Sequence, residues 1–167
     1  MRVSLLSFLV LALVLPLSGC GGFGLFGSSS LDPLEVAGRY RFTEYVMSPT
    51  SGAVRDVDLL RDALGENVVL NLELGGMATL ERVGSGTVEE VLSTGTYEID
   101  GREVRLSFSD GGRLDAFYMP SSIVFEGGGN KLNASVFQAA VNLEDIDDDY
   151  QGVTSADVEL RIGLRKL

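Results

Sequence analysis

The chain has 167 residues, a net charge of −11, one cysteine, and no histidine or tryptophan. Without histidine there is no His-dependent triad, no imidazole base and no imidazole-ligated metal. Any enzymatic chemistry would rest on carboxylates, lysine, serine or tyrosine. Such acidity favours solubility and argues against nucleic acid or an anionic membrane as a partner.

In chain order, Arg2 precedes an uncharged, largely apolar run, Val3 to Leu17. The run is too short to span a bilayer, which takes roughly 20 apolar residues. A positive start, a short apolar core and small residues after it read as a signal peptide. Leu17-Ser18-Gly19-Cys20 closes it. This resembles the lipobox of bacterial lipoproteins. The resemblance implies cleavage before Cys20, a diacylglyceryl thioether on its sulfur, and an acyl chain such as palmitate on the new amino group. Two or three acyl chains anchor firmly where one holds only marginally. A lone cysteine in an exported protein has no internal disulfide partner; the alternative is a secreted protein with a stray thiol. Gly21 rather than Asp follows the cysteine. In Gram-negative lipoproteins this pattern implies sorting to the periplasmic face of the outer membrane.

Removing residues 1–19, which hold Arg2 and no acid, moves the net charge to −12. Residues 20–33 are rich in Gly and Ser and read as a flexible tether. Phe23, Leu25 and Phe26 within it either dip into lipid or are leftover apolar residues. The folded domain is expected over 34–167, one domain by length.

From there the period is two, the mark of strands with one buried face. Tyr40 and Phe42 open the first strand. Ala53 to Gly65 breaks the period, with Val57, Leu60, Ala63 and Leu64 at helical spacing. It is expected to be a short helix, either plugging a barrel mouth or lying outside. Val68, Leu70, Leu72 and Leu74 then alternate and are expected inside, Gly75-Gly76 turns, and Ala78 and Leu80 return to the inside. Tyr97 and Ile99, the turn at Asp100-Gly101, and Val104, Leu106 and Phe108 make a second hairpin. After a turn at Asp110–Gly112, Arg113–Met119 is expected as a strand facing Leu114, Ala116 and Tyr118 inward. Ile123 and Phe125, a turn over Gly127–Asn130, and Leu132, Ala134 and Val136 follow. Ala156 to Leu164 alternates to the end.

About eight to ten strands joined by tight turns predict an all-β fold, an antiparallel up-and-down β-barrel with one short helix. A two-sheet sandwich is the alternative. The order Ala37-Gly38-Arg39-Tyr40, the helical excursion, Gly75-Gly76, Gly95-Thr96-Tyr97 and Asp100-Gly101 is similar to the lipocalin-like, calycin-type barrel domains of bacterial envelope lipoproteins. The resemblance implies fold and envelope context. That group shares no catalytic residues to carry over.

Small barrels either fill with side chains or hold one small ligand. The ligand reading places a small apolar molecule among Tyr40, Phe42, Tyr97, Phe108 and Tyr118, with tyrosine hydroxyls orienting it. The other reading is a closed core. The acidic run Leu143–Gly152 offers Asp145, Asp147 and Asp149 as oxygen ligands of calcium, or is a solvated loop. It departs from the EF-hand pattern at Tyr150 and Ala156. No cofactor is implied. The expectation is a non-catalytic, lipid-anchored envelope protein that binds a small apolar ligand, or a structural lipoprotein with a filled barrel acting through its acidic surface.

Overall fold

The computed structural model describes residues 30–52, 54–128 and 130–167. The signal segment, Cys20 and most of the tether lie outside the described residues. A four-residue helix α1 (Pro33–Val36) precedes β1 (Gly38–Pro49). There follow a two-residue strand β2 (Val57–Asp58), β3 (Val68–Leu72), β4 (Met77–Gly84), β5 (Thr87–Asp100) and β6 (Glu103–Phe108). A short helix α2 (Gly111–Leu114) leads to β7 (Ser122–Gly128), β8 (Lys131–Val141) and β9 (Ala156–Lys166).

All pairings are antiparallel and follow chain order from β3 to β9. β1 pairs with β3 on one edge and along β9 on the other, from Tyr40 opposite Lys166 to Pro49 opposite Val158. That contact closes an eight-stranded up-and-down barrel and removes the outer edges of the sheet. β2 extends the β3 side by two rungs, Val46 with Asp58 and Met47 with Val57. The β7–β8 ladder holds for three rungs only, from Glu126 opposite Asn133 to Gly128 opposite Lys131.

Alternation decides the core. Val104, Leu106 and Phe108 of β6 are buried while Arg105 and Ser107 face out. Leu70 lies opposite Leu80, Leu106 opposite Ile123 and Leu132 opposite Leu164. A bulge between Phe42 and Glu44 shifts the parity of β1, so Tyr45 and Met47 continue the inward face begun by Tyr40 and Phe42. The β4–β5 turn takes Ser85 and Gly86 both into positive φ, 50° and 84°. That is the backbone a two-residue hairpin needs, and glycine adopts it without strain.

Five sequence expectations are corrected, the first being Leu74, which follows β3 at 63 % exposure instead of facing inward. The short helix expected over Ala53–Gly65 is confined to its last residues: Val57 pairs into the sheet, and Leu59–Leu64 coils, with a π turn over Leu60–Leu64 ended by Gly65 at φ 85°. Arg113–Met119 is not a strand. It forms the end of α2 and a 3-10 turn over Asp115–Phe117, burying Leu114 and Met119 and leaving Ala116 exposed. Gly127 and Gly128 belong to β7 rather than to the turn. Leu31, placed in the tether by composition, donates its N–H to the Gly101 carbonyl at 2.8 Å and packs against the core.

The end where β1 begins, the near mouth, is covered by residues 31–36. Asp32 caps α1 by accepting from the Leu34 N–H at 2.9 Å, and Pro33 at the first helical position needs no partner. Three connections cover the far mouth: 50–67, 109–121 and 142–155. They send Leu59, Leu64, Leu114, Met119, Leu143 and Tyr150 into one core continuous with the barrel wall.

Candidate functional site

The barrel interior is the first place to look for a site. An unfilled space of about 200 Å³ lies there, lined by Phe42, Leu70, Leu80, Leu106, Phe108, Met119, Ile123, Phe125 and Ile162. Every lining residue is apolar, and nowhere is the space wide enough for a water molecule. Ligand pockets usually run to roughly 300–1,000 Å³ with a few converging polar groups.

Of the five ligand candidates, only Phe42 and Phe108 border this space. Tyr40 and Tyr97 are buried with their hydroxyls committed elsewhere. Tyr40 donates to the Val36 carbonyl at 2.6 Å, tying α1 to β1. Tyr97 donates to the Glu73 carbonyl at 2.8 Å, fixing the β3–β4 hairpin. Tyr118 stands just after the 3-10 turn at φ 56°, and donates to the Asp145 carbonyl at 3.1 Å.

The remaining two tyrosines complete a pattern. Tyr45 of β1 donates to the Phe117 carbonyl at 2.8 Å, and Tyr150 to the Asp56 carbonyl at 3.0 Å. The three far-mouth connections are therefore stitched together. Tyr45 holds the β6–β7 connection, Tyr118 ties that one to the β8–β9 connection, and Tyr150 ties the latter to the β1–β3 connection. Burial pushes the Tyr40 hydroxyl up to about 12, with Tyr97 adding to the effect. Burial also raises Tyr45, Tyr97, Tyr118 and Tyr150. All five stay protonated at neutral pH, as a donor to a carbonyl must.

The acidic run does not gather. The Asp147 carboxylate accepts from the Asp149 N–H at 2.8 Å and caps a 3-10 turn, Asp148–Tyr150. Asp149 pairs with Arg55 at 2.7 Å, and Asp145 contributes its backbone carbonyl to Tyr118. Among the described residues, no group of three or more carboxylates or thiols is placed to hold a metal ion.

Sequence reasoning passed over Glu81, the one carboxylate buried among the described residues, at 7 % exposure. It lies on the outer face of β4. Its oxygens accept from Thr79 at 2.7 Å, from Asn71 at 3.4 Å and from Arg39 at 3.3 Å. The strand pattern shows only an outward Glu; the three donors come from β1, β3 and β4, and only the sheet brings them together. A carboxylate satisfied by three donors on an outer wall is a structural tie rather than an acid or base facing a substrate. Glu90 of β5 is likewise held on the surface, paired with Arg82 at 2.5 Å and with Arg113 at 3.4 Å.

Comparison of the sequence with protein-family models and with curated proteins gave no match. Among the described residues, no helix is long and apolar enough to cross a membrane.

Proposed function

We propose that this chain is a lipid-anchored, non-catalytic protein of the bacterial cell envelope, with a lipocalin-like barrel that acts through its outer surface. The observation that carries this reading is the filled interior. About 200 Å³ of purely apolar space, closed to water, leaves no room for a ligand unless a plug is displaced. The hydroxyls that would orient an apolar molecule are spent on backbone carbonyls. The anchor rests on Leu17-Ser18-Gly19-Cys20, and Gly21 after the cysteine supports the periplasmic face of the outer membrane.

The test is mass spectrometry of the full chain made in a bacterial host. The expected mass is that of residues 20–167 with acyl chains on Cys20. Under native conditions no further apolar adduct should be carried. An adduct released on unfolding would restore the ligand-carrier reading. A Cys20→Ser variant should keep residues 1–19 and carry no acyl chains; a natural chain whose mass shows an unmodified Cys20 would remove the anchor.

A further inference from the structure

We propose that the near mouth is the face this protein rests on the lipid surface, with the far mouth pointing away. Four large apolar side chains are exposed around that mouth. Leu34 and Leu167 are each 69 % exposed, Leu74 63 % and Met77 47 %. Leu167 follows β9, Leu34 precedes β1, Leu74 follows β3 and Met77 opens β4. These strands are consecutive around the barrel, β9-β1-β3-β4. The four residues therefore form one crown, not singly scattered surface residues.

The chain toward Cys20 leaves from the same mouth. Leu31 is bonded to Gly101 in the β5–β6 turn, at the near end. An acylated Cys20 lies ten residues before Ser30, so the tether starts on the side the crown faces. The proposal rests on the lipid-anchor reading in this respect.

Charge is segregated in the matching sense. The three far-mouth connections hold eleven acidic and three basic side chains. At the near mouth Arg39, Arg102, Lys131, Arg165 and Lys166 stand against Asp32, Glu35, Glu73, Asp100 and Glu103. A balanced end suits zwitterionic headgroups, and a strongly acidic end is repelled by any anionic lipid. The overall acidity, which argues against a membrane partner for the whole chain, thus belongs mainly to the end that points away. Four apolar side chains are too few to anchor the protein alone. With the acyl chains they supply the second contact that fixes orientation.

The experiment uses the full acylated chain in phosphatidylcholine vesicles containing a headgroup-level quencher. A fluorophore is attached at Gly75→Cys, where a side chain meets nothing within 4 Å, or at the exposed Asp148→Cys. The two sites stand roughly 30 Å apart along the barrel, at about 3.3 Å per residue with strand tilt. Quenching at position 75 should exceed that at 148 several-fold. The combined variant Leu34→Glu, Leu74→Glu, Leu167→Glu changes only exposed residues and should lower it to the level of 148. Equal quenching at both sites, or no change in the triple variant, overturns the proposal. The intact mass of the same sample separates the two ideas. Acylated protein without differential quenching sinks the orientation alone; unacylated protein that leaves the vesicles sinks the anchor and the orientation with it.

Discussion

Phe125→Ala tests the filled barrel directly. Phe125 sits in β7 opposite Val104, is 2 % exposed, and borders the interior space beside Leu106 and Ile123. Truncating a buried Phe costs about 3–5 kcal/mol, the lost burial plus roughly 24 cal/mol for each Å³ of cavity left. Closed strands hold the wall in place, which pushes the cost upward. Met119, flexible and on the same lining, moves part-way into the gap and pulls it down. The expected loss is about 4 kcal/mol, or about 12–16 °C in Tm for a domain of this size. Urea unfolding followed by far-UV circular dichroism measures it. The enlarged space should also bind a benzene-sized probe that the natural chain rejects, with a saturable rise in Tm. A loss below about 1 kcal/mol would mean that Phe125 already faces an open cavity. The filled-barrel reading would then be wrong.

Other expectations are as direct. Gly95 of β5 lies opposite Phe108, and a β-carbon there would run into the Ser107 carbonyl oxygen and stand 2.8 Å from Phe108 Cα. Backbone cannot swing aside as a side chain can, so Gly95→Ala should cost about 3 kcal/mol, read as a lowered urea midpoint. Alkaline unfolding should follow the tyrosines. The folded Tyr40 hydroxyl, at about 12 against 10 in the open chain, holds its proton more tightly than the unfolded one. Its contribution is whole below pH 10 and is lost as pH rises through 12, about 2–3 kcal/mol at 1.36 kcal/mol per unit. Tyr40→Phe should be less stable at pH 8 and lose less between pH 10 and 12 than the natural chain; parallel pH profiles would show that Tyr40 does not titrate on unfolding. Millimolar calcium should leave Tm unchanged, because Asp147 and Asp149 are spent on a cap and an Arg55 pair. A rise of several degrees would revive the metal reading of the acidic run.

The strands were legible wherever alternation ran long enough. Val68 to Leu72, Val104 to Phe108 and Val158 to Leu164 needed only the period and a flanking turn. The segment Arg113–Met119 defeated the same reasoning, since seven residues carrying Leu114, Ala116 and Tyr118 match a period of two by composition alone. The fold uses Leu114 and Met119 instead, because the chain must cross the far mouth before β7 begins. At Val57 the opposite error arose. Helical spacing through Leu64 suggested one helix, yet Val57 finds Met47 of β1 within the sheet, and only the last turn coils. Bulges are equally invisible. Nothing in Thr43-Glu44 announces the shift that turns Tyr45 inward, and without it the far-mouth clasp to Phe117 would not exist.

The candidate site was the least legible part, and the tyrosines show why. Turning Tyr40 and Tyr97 inward requires only a strand pattern, the same pattern that misplaced Tyr118, which lies on a far-mouth connection. Deciding whether a hydroxyl waits for a ligand or holds the fold requires its partner, and three of the five partners lie 72, 94 and 27 residues away. Those bonds run between connections that no local period describes. The charge asymmetry was hidden for a similar reason. The chain visits the two mouths in turn, so acidic segments at 56–66, 110–115 and 144–149 look dispersed along the sequence. An up-and-down barrel sends alternate connections to the same end, which sums those segments at one mouth and leaves the crown of Leu34, Leu74, Met77 and Leu167 at the other. A fold with crossovers would have mixed them. The polarity of the molecule is thus a property of its topology, and swapping charges between the ends should reverse its preferred side toward an anionic surface while leaving the barrel core untouched.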